Sequence, residues 1–281
     1  MNVLQSVVLG VVEGLTEFLP VSSTGHLTIA EKALGLTVND KAVTGFTAVI
    51  QVGAILAVLL YFRLDIGRFV AAGIGGLVSA ERRQHSDFRL AWLVVAGSIP
   101  IGIVGFAAKD VIKGDLRSLW VVAAALIGWS AVMVFAERHS RSRLAAGQVR
   151  GEPELTLTDA LSIGLVQCTA LVPGVSRSGA TISAGLLRGL DRVTATRLSF
   201  FLAIPALVAA GAFELKDATS GGVGVVPTVV GTVVSFVVAY ASIAWLLRFV
   251  ASHSIARFVP YRVLLGVVLL VLLAANVMTA R

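Results

Sequence analysis

Glu13-Gly14-Leu15-Thr16-Glu17-Phe18-Leu19-Pro20-Val21-Ser22-Ser23-Thr24-Gly25-His26 is where the reading of this chain turns. It lies inside an apolar stretch, residues 1–34, that a proline and a run of small polar residues interrupt halfway. A helix continued through Pro20 would lose backbone hydrogen bonds. Ser and Thr followed by Gly read instead as a turn and the N-cap of a second helix. The stretch is therefore two short helices joined by a turn. Its apolar run, broken by Glu13 and Glu17 and lacking a basic leader, does not read as a secretory signal.

The surrounding chain says what medium this turn lives in. The 281 residues are 57% hydrophobic and 14% charged, with a mean hydropathy of +0.90. Soluble domains carry about 25% charged residues, so this chain lacks the polar surface to cover itself in water. Six segments of about 20 apolar residues read as spanning helices, at 43–62, 90–108, 118–136, 198–215, 225–249 and 259–278. Polar loops are expected at 63–89, 109–117, 137–158, 216–224 and 250–258. Irregular backbone at membrane depth survives only where protein buries it or it lines a cavity, so the broken stretch reads as a re-entrant hairpin.

A second broken stretch, 159–189, carries Pro173-Gly174-Val175-Ser176-Arg177-Ser178-Gly179 at its middle. At a fixed offset of 154 residues, Gly10, Val12, Val21, Ser22 and Gly25 fall on Gly164, Val166, Val175, Ser176 and Gly179. Paired interrupted segments point to a midplane site between repeats. Three spanning helices follow each hairpin, and that odd number inverts the second half. The expected fold is all-α: a polytopic membrane protein of six spanning helices and two re-entrant helix–turn–helix hairpins in an inverted-topology repeat. It forms one membrane domain over 1–281, repeat one about 1–136 and repeat two about 159–281.

Charge sets the orientation. The loops 63–89, 137–158, 188–197 and 248–262 together hold fifteen Lys and Arg, Arg262 among them, and the opposite side holds seven, including Arg117 and Arg281. Cytoplasmic loops carry the excess of basic residues, so the first hairpin and both termini are expected to face outward. This accounts for the net charge of +7 without nucleic acid, for which no basic stripe with interleaved aromatics exists. The single cysteine, Cys168, excludes an intrachain disulfide framework and a multi-thiolate metal site. Gly102, Gly105, Gly128 and Gly231 permit close helix contacts, within one chain or in a homodimer.

Glu13 and Glu17 stand four apart on a helix, hence on one face. Two carboxylates there either hold a divalent cation or share a proton as acid and base. His26 follows the turn directly, where it could attack phosphorus or serve as base for Ser23. Arg177 brings a guanidinium to membrane depth, where an anionic partner is expected; its fork suits phosphate oxygens. Ser22, Thr24 and Gly25 in one turn, and Ser176, Ser178, Gly179 and Thr181 in the other, offer hydroxyls and unpaired N–H groups. Two half-helix N-termini facing each other would make an electropositive, phosphate-sized pocket.

The Glu13–His26 and Pro173–Gly179 motifs, in this order and separation, resemble those of the undecaprenyl-diphosphate phosphatase family, also called bacitracin resistance proteins. The resemblance extends along essentially the whole chain, including 46–54 and 198–205. It implies hydrolysis of undecaprenyl diphosphate to the monophosphate and phosphate in a bacterial inner membrane, with a divalent cation, Mg or Ca. Carried over by motif position, Glu13 and Glu17 are the acidic pair, Ser23 and His26 the nucleophile or its partner, and Arg177 the phosphate clamp. A lipid-phosphate flippase using the same pocket is the non-enzyme alternative. It needs the anion clamp but has less need of two glutamates, a serine and a histidine within fourteen residues.

Overall fold

A computed structural model describes residues 1–38, 40–113, 116, 118–218 and 223–280; Arg117 and Arg281 of the charge count lie outside them. The chain is built from helices α1 (Val3–Thr16), α2 (Ser23–Ala33), α3 (Lys41–Tyr61), α4 (Arg63–Val78), α5 (Ser86–Ala107), α6 (Lys109–Lys113), α7 (Leu119–Ala145), α8 (Leu157–Gln167), α9 (Arg177–Leu187), α10 (Arg192–Ala218), α11 (Val225–Ser252) and α12 (Val259–Ala274). Six described helices are long and apolar enough to cross a membrane: α3, α5, α7, α10, α11 and the run Ile255–Ala274. They match the six expected spans, except that α7 runs on to Ala145, into the segment expected as the polar loop 137–158. The protein is an all-α, multi-pass membrane protein.

Local chemistry starts and stops these helices at matched places. Asn2 and Gln5 form a reciprocal capping box on α1, and Thr156 and Asp159 form one on α8, which satisfies two orphan N–H groups at each start. Helices α2 and α9 are 11 residues each and are offset by 154 positions at both ends. Each begins after a serine in the left-handed region, Ser22 at φ 79° and Ser176 at φ 76°, a conformation costly for a residue with a Cβ. Each stops at a glycine of positive φ, Gly35 and Gly189. At 1.5 Å per residue, α1 is about 21 Å long and α2 and α9 about 16 Å. None alone can cross a core about 30 Å thick.

Packing follows the same correspondence. Helix α1 lies on α11 and α8 lies on α5; α3 packs on α11 and α10 on α5; α3 meets α10, and α7 meets α12. Glycines permit the closest approaches. A Cβ on Gly10 would stand 2.5 Å from the Gly231 carbonyl oxygen, and one on Gly164 only 2.0 Å from that of Gly97. Dispersion between such close backbones is what holds helices together in lipid, where apolar burial offers little drive. An aromatic core lies beneath the first turn: Phe18 meets Phe200 edge-on at 5.6 Å, and Phe62 meets Phe201 at 5.1 Å. Gly231 is thus used within the chain, while Gly102 and Gly128 have open space beside them.

Two expectations need correction. Residues 63–89 are not a plain polar loop, because α4 occupies most of them. Its Phe69 packs edge-on against Phe201 and its Gly76 against Phe88, while Leu64, Val70, Ile74 and Leu77 remain exposed. With Arg63 and Arg68 beside that apolar side, α4 reads as an interfacial helix. The second correction is Arg262. Counted among loop cations, it is fully buried, because it lies within α12 and turns inward.

Candidate functional site

The two turns meet tip to tip. Ser22 Oγ accepts a hydrogen bond from the Gly174 N–H at 3.0 Å, and Ser176 Oγ donates to the Leu19 carbonyl at 3.5 Å. Each left-handed serine thereby reaches across to the opposite hairpin. Strain of this sort persists only when surrounding structure over-determines it, and it gathers at functional sites.

Glu17 is the junction. It caps α1 immediately before the turn and is 7% exposed. Its Oε2 accepts from Ser23 Oγ at 2.6 Å, and its Oε1 accepts from Arg177 Nη2 at 3.0 Å. One carboxylate thus joins the first residue of α2 to the first residue of α9. Arg177 Nη1 is buried and has no partner among the described residues. A buried guanidinium N–H left unbonded is costly, and a phosphate oxygen would satisfy it. Glu13, 1% exposed, lies one helical turn before Glu17 and within electrostatic reach of Arg177.

His26 stands one turn into α2. Its Nδ1 is 2.7 Å from the Ser22 carbonyl and its Nε2 is 2.6 Å from the Tyr261 hydroxyl, the two rings stacking at 5.5 Å. A carbonyl only accepts, so Nδ1 carries the hydrogen; in the neutral ring Nε2 then accepts from Tyr261.

The remaining expected residues divide by hairpin. In the first, Ser22 makes no cap bond to α2, its oxygen being turned to Gly174. Among the described residues, the first-turn N–H groups of Ser23, Thr24 and Gly25 therefore have no side-chain cap. Thr24 is exposed and Ser23 half-buried. In the second, Ser176 Oγ accepts from the Gly179 N–H at 3.2 Å and lies 3.2 Å from Ser178 Oγ. Thr181 Oγ1 donates to Ser199 Oγ at 2.6 Å. Ser178, Gly179 and Thr181 are thus engaged behind Arg177, supporting it from within the protein.

Among the described residues, no three His, Cys, Asp or Glu side chains converge into a metal cage. Glu13 and Glu17 form a two-carboxylate set, which fits a cation shared with phosphate oxygens, as Mg is commonly held.

Two residues escaped the reading of the sequence. Tyr261 and Arg262 both project from the first turns of α12 onto the site. Their signal was an arginine and a tyrosine near the start of an apolar span, which on composition alone looks like interfacial anchoring.

A profile described as "Bacitracin resistance protein BacA" matches residues 6–268. Undecaprenyl-diphosphatase 3 of Frankia casuarinae is 56% identical over 283 aligned positions that cover all of both chains. The undecaprenyl-diphosphatase of Acidothermus cellulolyticus is 57% identical over 281 positions, again covering both completely. Undecaprenyl-diphosphatase 1 of Streptomyces avermitilis is 58% identical over 279 positions and 99% of each chain.

Proposed function

This chain belongs to the bacitracin resistance protein BacA family, and from that premise we infer that it is an undecaprenyl-diphosphatase. It hydrolyses undecaprenyl diphosphate to undecaprenyl phosphate and inorganic phosphate, which returns the lipid carrier to cell-wall synthesis and confers bacitracin resistance. The observation that carries the site assignment is Glu17 hydrogen-bonded at once to Ser23 and Arg177 across the meeting hairpins.

In this reading Arg177 holds the terminal phosphate through Nη1 and, with the open N-terminus of α2, stabilises the charge that develops there. Ser23 Oγ attacks the terminal phosphorus and gives its proton to Glu17 Oε2. The bond from that phosphorus to the bridging oxygen breaks, and undecaprenyl phosphate leaves with the proton. Water then attacks the phosphoserine, its OH going to phosphorus and its remaining proton to Ser23 Oγ. The 2.6 Å contact between Ser23 and Glu17 favours serine as nucleophile, because the engaged Nε2 of His26 would first have to leave Tyr261. Glu13 and Glu17 would hold a divalent cation, Mg or Ca, which neutralises diphosphate charge when bound.

The proposed frame is two repeats of opposite orientation, 1–136 and 159–281, in the bacterial inner membrane, with the first hairpin and both termini outward. The basic residues gathered at 138–150 and 188–197 support that orientation. A homodimer would use the open faces beside Gly102 and Gly128.

The test is phosphate release from undecaprenyl diphosphate by purified protein. Glu17→Ala and Arg177→Ala should each lower turnover by about a thousandfold or more. Normal turnover in both would remove the site assignment. Quenched reactions should yield phosphoserine at Ser23; phosphohistidine at His26 would transfer the nucleophile's role.

A further inference from the structure

We infer that Arg262 is a positioning residue for this reaction: one buried guanidinium fastens the tips of both hairpins and so sets the distance between Ser23 and Arg177. The inference rests on the hydrolase reading above and adds a residue to it.

The geometry is direct. Arg262 Nη1 donates to the Pro20 carbonyl at 3.0 Å. Its Nη2 donates to the Gly174 and Val175 carbonyls at 3.0 and 3.1 Å and lies 3.4 Å from the Leu126 carbonyl. Its Nε donates to Ser130 Oγ at 3.2 Å. Pro20 lies three residues before Ser23, and Val175 two before Arg177. One planar group therefore binds the backbone just upstream of both chemical side chains. It also ties both to α7 through Leu126 and Ser130.

The choice of residue follows from those acceptors. Five of them, at fixed angles, call for the rigid fork of guanidinium, whose donors lie in one plane. An ammonium has three donors on a flexible stem and could not span both tips. None of the five partners is a carboxylate, so among the described residues no bonded group cancels the positive charge. A buried cation without a counter-ion is expensive at membrane depth. Carbonyl dipoles offset part of that cost, and an incoming diphosphate would offset more. A residue serving packing alone would be met as well by an apolar side chain of similar volume, which is often the more stable choice.

Position is what phosphoryl transfer needs most. Among the described residues, the turns that carry these three carbonyl anchors are otherwise joined by the Glu17–Arg177 bond and by two cross-hairpin serine bonds, one of them 3.5 Å long. Displacement of a reacting group by about 1 Å can cost about a hundredfold in rate.

The experiment uses the full chain in detergent micelles, as wild type, Arg262→Met and Arg262→Lys, with rates taken per folded molecule eluting from size exclusion. Arg262→Met should lower kcat on undecaprenyl diphosphate by about a hundredfold while KM moves by less than about threefold. Arg262→Lys should recover about tenfold of that loss. Turnover within about twofold of wild type in folded Arg262→Met would overturn the inference. If that variant yields no folded protein, the same reading is taken on Arg262→Lys, where turnover within about twofold of wild type overturns it. A second measurement is independent of turnover: spin labels on Thr24→Cys and Val172→Cys, beside the two turns, in a Cys168→Ala background report the tip-to-tip distance. The distribution should be narrow with Arg262 and broad without it; an unchanged distribution overturns the clamp. A wild type that releases no phosphate would sink the hydrolase reading, while the distance measurement would still decide the clamp.

Discussion

The hairpin of α1 and α2 and the hairpin of α8 and α9 share one backbone plan and differ in nearly everything chemical. At the offset of 154, Glu13 faces Gln167, Glu17 faces Leu171, Ser23 faces Arg177 and His26 faces Ala180. The first hairpin keeps the carboxylates, the hydroxyl and the imidazole; the second keeps a single guanidinium. Burial divides the same way. Residues 178–186 of α9 are all buried, whereas α2 buries only Gly25 and Glu31. Their caps differ too, for Ser176 closes the N-terminus of its own helix while Ser22 leaves its helix open.

This difference teaches how a duplicated scaffold can make one site. A phosphate must enter against something fixed and react with something reachable. The buried hairpin supplies the fixed wall, with Ser176, Ser178 and Thr181 bonded within the protein. The open hairpin supplies reachable groups and an uncapped helix end that attracts an anion.

The contrast is broken most severely at the chemical step. Ser23→Ala should remove about a thousandfold or more of the turnover, since the proposed nucleophile is lost. Ser178→Ala in the second hairpin should cost less than about tenfold, since its hydroxyl only supports Ser176. Equal losses in phosphate-release assays would dissolve the proposed division of labour.

The bases of the hairpins give a stability contrast. Asp159 is closed to solvent and accepts from Arg150 Nη1 at 2.8 Å, from Arg150 Nη2 at 3.0 Å and from Arg188 Nε at 2.8 Å. At the matching place Gln5 Nε2 donates to the Leu34 carbonyl at 3.2 Å. Only the Asp159 end of these pairs is buried and both arginines stay partly exposed, so Asp159→Ala should cost about 1.5–3 kcal/mol in lost charge-assisted hydrogen bonds and lower the unfolding midpoint. Gln5→Ala should cost about 1 kcal/mol. Burial pushes the Asp159 carboxyl up, but hydrogen bonds from Arg150, Arg188 and Thr156 outweigh it and hold it well below the usual range. Its folded pKa is the lower one, so its contribution is present above the unfolded value of about 3.9 and fades as pH falls below that. Acid titration of thermal stability should show this fading in wild type and not in Asp159→Asn.

The smallest contrast lies in packing. Gly164→Ala should destabilise more than Gly10→Ala, by roughly 1–3 kcal/mol for the latter. The reason is that a Cβ on Gly164 meets backbone at 2.0 Å and one on Gly10 meets it at 2.5 Å. The reverse order in thermal unfolding would mean that α8 yields more readily than α1.

Much of the candidate site is legible in the sequence. Pro20 and Pro173 marked the breaks, the shared Val-Ser and Gly positions marked the pairing, and Glu13, Glu17, Ser23, His26 and Arg177 stood out as polar groups where lipid forbids them. Residues 63–89 misled because their apolar stripe is short and interleaved with arginines, which reads as loop until packing on Phe201 and Phe88 is seen. Arg262 misled because an arginine at the start of an apolar span usually reaches for water, and Tyr261 beside it carried no separate signal.

Periodicity, hydropathy and the proline breaks are properties of neighbours along the chain, and from them alone follow the membrane, the six spans and the two interrupted hairpins. Which way Arg262 turns is not such a property. It depends on where the carbonyls of Pro20, Gly174 and Val175 stand, and those come together only once residues 242, 88 and 87 positions apart in the chain have packed. The same holds for Glu17, whose two oxygens find Ser23 and Arg177 only when the tips meet. Local free energies decide where a helix can begin and end, and long-range packing decides which polar groups share a cavity.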